Sequence, residues 1–326
     1  MPAARLPLVL ITLTLAAISL QAAPGGEPIT LKGHAGWVGG VAFSPDGKTL
    51  ATAGADRVVR LWDVAGGEQR AVLQGHADYV CAVAFAPDGQ SLATGSYDHT
   101  AGVWDPATGR QRHFLRGHRG VVMAVAFSPD GKLLATAGID GTVRLWDPAT
   151  GREAATLRGH RSWVNSVAFT RDGRLLASAS SDNTVKLWDV ATRQEVASLA
   201  PKAAEIRAVA FSPDGKQLAA GTRYGAVKVW DIATRQELAT LKGHAGDVWA
   251  VAFTPDGRTL ASGDGDWNRP GDIRLWDTAT WKETARLMHS GEVLCLAIAP
   301  DGRRLAAGSW DKTVRVWPLP ASQDGR

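Results

Sequence analysis

The chain has 326 residues, and its 36 Lys and Arg residues nearly balance 32 Asp and Glu residues, which gives a formal net charge of +4. This small and interspersed charge argues against nucleic-acid binding driven by neutralisation of phosphates. A hydrophobic content of 45% excludes a disordered chain, and two Cys residues are too few for a disulfide framework or a cysteine-based zinc site.

The first predicted element is an export signal at residues 1–23. Arg5 is followed by the apolar run Leu8–Leu20, which is shorter than the roughly 20 residues of a membrane span. A basic start, a short apolar middle and small residues at the end are typical of a secretory signal peptide. We therefore expect a secreted or periplasmic protein, in which residues 24–27 form a linker. The alternative is an uncleaved membrane anchor formed by residues 6–22.

From residue 28 onward the chain consists of seven similar units. Glycine–histidine pairs stand 42 residues apart, with one interval missed, at Gly33-His34, Gly75-His76, Gly117-His118, Gly159-His160 and Gly243-His244. A shifted seventh start is Met288-His289. Tryptophan–aspartate pairs begin at Trp62, Trp104, Trp146, Trp188, Trp230 and Trp276, and Trp317 closes the series. Units of about 40–45 residues with these boundaries predict a propeller with one four-stranded blade per unit.

Each unit contains four segments of strand length. The first unit, for example, begins with WVGGVAF, and later units contain LASASSD, TVKLWD and EVASL. The sequence SPDG at Ser44–Gly47 separates the first two segments, and similar sequences recur in the other units. Proline, aspartate and glycine at these places are typical of the turn in a β-hairpin. The segments therefore predict short antiparallel strands.

These units resemble the WD-repeat (G-protein β-subunit-like) propeller family over residues 28–318. The resemblance implies an all-β, seven-bladed propeller of four-stranded antiparallel blades. It also implies that Pro28–Lys32 joins the last blade as its outer strand, because the chain stops one strand short after Trp317. Closing the ring in this way removes exposed sheet edges. Residues 319–326 are expected to form a short tail.

The resemblance implies a buried polar set in most blades, made of the GH histidine, a Ser or Thr, an Asp and the WD tryptophan. Four units contain complete sets: His34, Thr52, Asp56, Trp62; His76, Thr94, Asp98, Trp104; His118, Thr136, Asp140, Trp146; and His160, Ser178, Asp182, Trp188. Unit six keeps His244, Ser262 and Trp276; unit five has Lys202, Ala220 and Tyr224 in place of the set; and unit seven has Ala307 for the hydroxyl. Because each histidine belongs to a different blade, we expect a structural role instead of a shared metal or catalytic site.

The residues that vary between units are the candidates for partner binding. The resemblance places them on one face of the ring: Trp37, Tyr79, Tyr97, Met123, Trp163, Asn165, Arg207, Arg223, Trp249, Trp267 and Trp310. Trp, Tyr, Met and Arg are enriched at protein interfaces. The alternative is that Trp37 and Trp163 only cover the ends of their blades. We expect the strongest patch in units five to seven, with Trp249, Trp267 and Trp310 flanked by arginines.

Two further groups of residues need an interpretation. Asp264, Asp266, Asn268 and Asp272 suggest a calcium loop, but an EF-hand needs glycine at the sixth position and glutamate at the twelfth, where Arg269 and Leu275 stand. We therefore predict no metal site. Cys81 and Cys295 belong to units two and seven, which unit one separates, so we expect two free and largely buried thiols.

Together these features predict a non-enzymatic scaffold that binds another protein or a peptide, without a cofactor or nucleic acid, and that is monomeric by itself. The small residues along the first segments bring no carboxylate pair or nucleophile together, so no catalytic residue is predicted. An enzyme or a small-ligand binder that uses the channel mouth, similar to lactonase or quinoprotein propellers, is the alternative.

Overall fold

The computed structural model describes residues 27–200, 204–266 and 269–319. The predicted signal peptide, most of the linker, the tail from residue 320 onward, and the residues Lys202, Trp267 and Asn268 lie outside this part of the chain. The described residues form 28 strands, and none of them forms a helix. Accordingly, no helix within these ranges is both long and apolar enough to span a bilayer.

Seven four-stranded sheets account for all the strands. Blades one to three contain β2 (Val38–Phe43), β3 (Thr49–Gly54), β4 (Val58–Asp63), β5 (Gln69–Gln74); β6 (Val80–Phe85), β7 (Leu92–Ser96), β8 (Thr100–Trp104), β9 (Gln111–Arg116); and β10 (Val122–Phe127), β11 (Leu134–Gly138), β12 (Thr142–Asp147), β13 (Arg152–Arg158). Blades four and five contain β14 (Val164–Phe169), β15 (Leu175–Ser180), β16 (Val185–Asp189), β17 (Glu195–Leu199); and β18 (Ile206–Phe211), β19 (Gln217–Thr222), β20 (Ala226–Asp231), β21 (Glu237–Lys242). Blades six and seven contain β22 (Asp247–Phe253), β23 (Thr259–Gly265), β24 (Asp272–Asp277), β25 (Glu283–Met288); and β26 (Val293–Ile298), β27 (Arg304–Ser309), β28 (Thr313–Pro318), β1 (Ile29–Lys32).

Within each blade the strands are antiparallel and follow one another in sheet order. The first strand of each blade contacts the first strands of both neighbouring blades, so these seven strands surround the axis of the ring. We call the face where the first strands begin the top face. The second and fourth strands end on the top face, and the turns between strands one and two lie on the opposite, bottom face.

Local sequence explains the bottom-face turns. In the turn between β2 and β3, the Ser44 hydroxyl donates to Asp46 Oδ1 at 2.5 Å, and the same oxygen accepts the Lys48 amide at 3.0 Å. Gly47 adopts a φ of 68°, a left-handed conformation that glycine allows without steric cost. The predicted turn at Ser44–Gly47 is therefore confirmed.

The apolar core lies between blades. In one such cluster, Leu61 and Leu73 of blade one pack with Val80, Val83 and Trp104 of blade two. The corresponding residues form similar clusters around the ring. Because every blade buries its apolar faces against its neighbours, each blade is stabilised by the two blades beside it.

The N-terminal strand closes the ring. Strand β1 pairs with β28 in the antiparallel register Ile29↔Val316 and Leu31↔Val314. Leu31 is 5% exposed and packs in the cluster that joins blades seven and one. The closure predicted from the offset of the units is thus confirmed, together with the all-β, seven-bladed fold.

Candidate functional site

Blades one to four contain the predicted polar sets as connected hydrogen-bond chains. In blade one, the Trp62 indole N–H donates to Thr52 Oγ1 at 2.8 Å, and His34 Nε2 lies 2.7 Å from the same oxygen. His34 Nδ1 lies 2.8 Å from Asp56 Oδ1. The other three blades repeat these contacts with distances between 2.7 and 3.1 Å. Each set joins the second and third strands of its blade to the loop that enters the blade.

The electrostatics of the sets fix their protonation. Burial lowers the pKa of His118 and His160, so these rings are neutral at pH 7. A carboxylate only accepts hydrogen bonds, so Nδ1 carries the proton and Nε2 accepts from the hydroxyl. Burial by itself would raise the pKa of Asp140, but the Arg119 amide, the Thr142 hydroxyl and His118 together lower it to about 2. All the polar atoms of a set are therefore partnered, which indicates a structural role.

Blade six carries a variant of the set that the sequence did not reveal. His244 Nε2 lies 2.6 Å from Ser262 Oγ, and the Trp276 indole donates to the same oxygen at 2.8 Å, as predicted. His244 Nδ1, however, faces two carboxylates: Asp272 Oδ1 at 2.6 Å and Asp264 Oδ2 at 3.4 Å. Unit six is four residues longer than the usual interval of 42, and the two aspartates flank this insertion at Asp266–Arg269, so counting residues along the repeat assigned neither to the set.

Among the described residues, His244, Asp264 and Asp272 form a group whose ligand atoms lie close enough together to hold a metal ion. Their oxygens already have donors. Asp264 accepts the amides of Ala245, Gly246 and Asp272, while Asp272 binds the guanidinium groups of Arg274 and Arg286. Two arginines on one carboxylate repel a cation, so the residues do not fit a metal ion. Of the other calcium candidates, Asp266 is exposed and Asn268 lies outside the described residues.

Blades five and seven lack complete sets, as the sequence predicted. In blade seven, His289 Nδ1 lies 3.3 Å from Asp311 Oδ2, and neither ring nitrogen of this buried histidine has a hydrogen-bond partner. Ala307, which is fully buried, stands where other blades have the hydroxyl. In blade five, Ala220 is fully buried and Tyr224 is 74% exposed. The His289 imidazole of blade seven is therefore buried without a hydrogen bond.

The top face carries an aromatic cluster, which we define as Trp37, Tyr79, Tyr97 and Trp310. The rings of Trp37 and Trp310 are parallel within 6°, with their centroids 6.0 Å apart. Trp37 also meets Tyr79 and Tyr97 edge to face, at 5.8 and 6.1 Å. Trp310 is 44% exposed and Tyr79 is 39% exposed. Ring closure thus brings Trp310 of blade seven against Trp37 of blade one, which in turn meets the two tyrosines of blade two, so the four rings form one aromatic surface.

Two arginines, Arg207 and Arg223, lie within the predicted patch of blades five to seven. Arg207 contacts Asp247 at 3.2 Å and Glu205 at 3.1 Å, and its guanidinium carbon lies 4.7 Å from the ring centroid of Trp249. Arg223 donates to Glu205 at 2.5 Å. Arg207 therefore flanks Trp249 as expected, and both arginines are in addition paired with acidic residues. The described aromatic cluster lies in blades seven, one and two.

The remaining predicted residues of this face are distributed around the ring. Trp163 of blade four is 52% exposed, and Met123 of blade three is half-buried. Asn165 Nδ2 donates to the Ile206 carbonyl at 2.7 Å and so bridges blades four and five. Trp267 lies outside the described residues. Asn165 thus contributes to packing between blades, while Trp163 offers a second, separate aromatic surface.

Glu292 is an acidic residue of this face that is almost fully buried. It is 7% exposed, and its Oε1 accepts the Trp249 indole N–H at 3.0 Å. It occupies the same repeat position as Trp37 and Tyr79, directly before the first buried residue of the first strand, so the register places it on this face. The two cysteines are free and buried as predicted, and burial raises their pKa to about 12.

Seven antiparallel four-stranded blades that surround an axis and are closed by the N-terminal strand define a seven-bladed β-propeller. The family model described as "WD domain, G-beta repeat" matches residues 26–63, 67–105, 109–147, 151–189, 193–231, 235–277 and 281–318. The chain therefore belongs to the WD-repeat family.

Curated relatives match the chain over about one repeat each. A segment of 45 residues is 47% identical to the protein pleiotropic regulator PRL2 of Arabidopsis thaliana and covers 14% of this chain and 9% of that protein. A segment of 40 residues is 52% identical to the small ribosomal subunit protein RACK1 of Medicago sativa, with 12% of each chain covered. An uncharacterized WD repeat-containing protein of Synechocystis is 54% identical over 39 residues, or 12% of this chain and 11% of that protein. The chain thus spans about a tenth of the length of these relatives.

Proposed function

We propose that this protein is an exported, non-enzymatic scaffold that binds another protein or a peptide on its top face. The observation that carries the proposal is the aromatic cluster, in which four aromatic side chains from three blades form one partly exposed surface. Large aromatic rings in contact with each other lose little conformational freedom when a partner covers them, and they dominate binding energies at interfaces. Propellers of the WD-repeat family are generally scaffolds for protein interaction.

The polar residues of the top face support binding over catalysis. The histidines that could serve as bases are enclosed in the polar sets, where both ring nitrogens of His34, His76, His118 and His160 are in contact with partners of their own blade. Burial raises the pKa of both cysteine thiols to about 12, which opposes formation of a nucleophilic thiolate.

Partner capture tests the scaffold role. We expect Trp310→Ala to weaken binding of the captured protein by at least about 30-fold, which corresponds to the loss of one interface hot spot. The measurement is affinity capture from the exported fraction, followed by titration of the protein that is retained. Trp281→Ala is the control, because Trp281 lies in the bottom-face turn between β24 and β25. Unchanged binding by Trp310→Ala, combined with weakened binding by Trp281→Ala, would place the interface on the other face.

Export is tested at the N-terminus of the native protein. The apolar run Leu8–Leu20 after Arg5 supports removal of the first segment, so we expect the mature chain to start near Ala23 or Pro24. N-terminal sequencing of the protein from its host measures this directly. An intact Met1 or Pro2 in a soluble cytosolic fraction would contradict export, and an intact start in the membrane fraction would identify residues 6–22 as an anchor.

A further inference from the structure

The outer strands of blades two and three carry more positive charge than those of the other blades. The segment 110–119, which contains β9, has four arginines and no acidic residue, and the segment 152–161, which contains β13, has three arginines and Glu153. Their formal charges are therefore +4 and +2. The corresponding segments of the other blades have formal charges of 0 or +1; they are residues 26–35, 68–77, 194–203, 236–245 and 282–291. Since the whole chain has a formal charge of only +4, its positive charge is concentrated on this side of the ring.

Two of these arginines flank the top-face turn at residues 140–142, between the second and third strands of blade three. The Arg119 amide donates to Asp140 Oδ2 at 2.9 Å. Arg158, at the end of β13, lies opposite Thr142 in the antiparallel register of β12 and β13. Both arginines are exposed. The turn thus holds the backbones of Arg119 and Arg158 on the same part of the top face.

A third arginine reaches this turn from the loop that enters blade four. Gly141 packs directly against that loop, so that a Cβ atom at Gly141 would lie 3.4 Å from the carbonyl oxygens of both His160 and Ser162. Arg161 stands between these two residues and is exposed. The Arg161 amide donates to Asp182 Oδ2 at 2.9 Å, which fixes the loop. Three arginines from separate parts of the chain are therefore held around one turn.

These three arginine side chains have no anionic partner in the described part of the chain. None of them forms an ion pair with a described residue, and the carboxylates nearby have other donors. Asp140 accepts from His118 and from the Thr142 hydroxyl. Glu153, the acidic residue of the two segments, pairs with Arg144 at 2.5 Å. The guanidinium groups are therefore available to carboxylates from outside the chain.

An exposed indole stands beside the arginines. Trp163 follows Arg161 by two residues and is 52% exposed. Its carbonyl accepts the Ser181 amide at 2.9 Å, so its backbone is fixed. Its ring forms no aromatic or cation–π contact with a described residue. A tryptophan that is fixed in this way and uncovered is the type of side chain that anchors a protein partner.

This surface fits separate carboxylates better than a continuous chain of phosphates. Burial by itself would raise the pKa of Asp140 and Asp182, but their hydrogen bonds lower both to about 2, so both are ionised beside the arginines. A nucleic acid has a phosphate at every nucleotide and brings negative charge against these carboxylates, whereas a peptide can place its acidic side chains at the guanidinium groups alone. A peptide can also cover the Trp163 ring with an apolar side chain. The favoured partner is therefore an acidic segment of a protein.

From these contacts we infer that Arg119, Arg158, Arg161 and Trp163, which we call the arginine rim, bind an acidic segment of a partner protein. Carboxylates of the segment pair with the guanidinium groups, and an apolar side chain next to them covers the Trp163 ring. The inference rests on the proposed function. It adds a second binding surface on the top face, separate from the aromatic cluster, and the chemistry of the partner at that surface.

Matched peptides test this inference. The probes are three nine-residue peptides of glycine and serine: one has a central leucine with two glutamates on each side, the second has glutamines in place of the glutamates, and the third has alanine in place of the leucine. Titration calorimetry at low salt measures their affinities for the full-length mature protein, and the Trp163 indole N–H resonance locates the binding. We expect the glutamine peptide to bind at least about tenfold more weakly than the glutamate peptide, and the alanine peptide at least about threefold more weakly. A nine-nucleotide single-stranded DNA is the polyanion probe.

Two double variants with the same change in net charge test the position of the site. Arg119→Gln combined with Arg161→Gln should weaken binding of the glutamate peptide by at least about fivefold and leave the glutamine peptide unaffected. Arg110→Gln combined with Arg152→Gln is the matched control, because these arginines belong to the same two segments but stand at the bottom ends of β9 and β13. Its affinity for the glutamate peptide should stay within about twofold of that of the unmodified protein. All four arginines are exposed, so thermal melts should be unchanged.

The outcomes separate this inference from the proposed function. Equal affinity for the glutamate and glutamine peptides, an equal loss in both double variants, or tighter binding of the DNA than of the glutamate peptide each overturns the arginine rim as a site for an acidic protein segment. If Trp310→Ala weakens partner capture while the glutamate and glutamine peptides bind equally, the scaffold role stands and the inference fails. If the glutamate peptide binds selectively while Trp310→Ala leaves partner capture unchanged, the inference stands and the proposed role of the aromatic cluster fails.

Discussion

Leu31→Ala is expected to lower the free energy of unfolding by about 2–5 kcal/mol, although Leu31 lies in the short strand at the start of the described chain. Leu31 is 5% exposed, and it is the buried leucine of the outer strand in blade seven. Leu73 and Leu115 have the same position in blades one and two. Its loss leaves a cavity in the cluster that connects the last blade with the first. Equilibrium denaturation monitored by tryptophan fluorescence measures the change.

Thr30→Ala is the matched control for this prediction. Thr30 belongs to the same strand but is exposed, so its substitution should change the free energy of unfolding by less than about 0.5 kcal/mol. A mature chain that begins after Lys32 should be affected more than either variant, because β28 then becomes an exposed edge that can pair with other molecules. Equal stability of the truncated and complete chains would contradict the ring-closing role of β1.

The propeller fold can be predicted from the sequence because the same turns and strand segments recur in every blade. The interval of 42 residues, the turn at Ser44–Gly47 and the offset of the first strand together define strand order and closure. The polar sets of blades one to four follow from the same register. Where four residues are inserted in blade six, counting along the repeat no longer identifies the residue that faces His244, and only the structure reveals Asp264 and Asp272.

The binding surface is harder to predict from the sequence than the fold, because it depends on the directions of side chains and on closure of the ring. Trp37 and Trp310 lie at opposite ends of the repeat region, and their rings become neighbours only because blade seven packs against blade one. Arg207 and Arg223 lie on the expected face, but the repeat does not show that Glu205 and Asp247 neutralise them. The repeat register predicts the face on which a residue lies. It does not predict which residues of other blades contact it there.

In the blades that contain a complete polar set, the Ser or Thr hydroxyl of the set should contribute strongly to the free energy of unfolding. Thr52→Val preserves the shape of the side chain but leaves His34 Nε2 and the Trp62 indole N–H buried without a partner. Since each unsatisfied buried group costs about 1–3 kcal/mol, we expect the free energy of unfolding to fall by about 2–4 kcal/mol. Chemical denaturation measures this loss, and an unchanged midpoint would show that the set contributes little.

The converse change in blade seven should stabilise the protein. Ala307→Ser places a hydroxyl beside His289 Nε2, in a blade where the rings of His289 and Trp317 already have the edge-to-face arrangement seen for His160 and Trp188. We expect a gain of about 1 kcal/mol and a melting temperature higher by roughly 2–4 °C. Ala306→Ser is the control, because Ala306 is equally buried in the same strand but packs in an apolar cluster without a histidine. The added hydroxyl there has no histidine partner and should destabilise the fold, so stabilisation by both substitutions would show that a polar partner for His289 is not the cause.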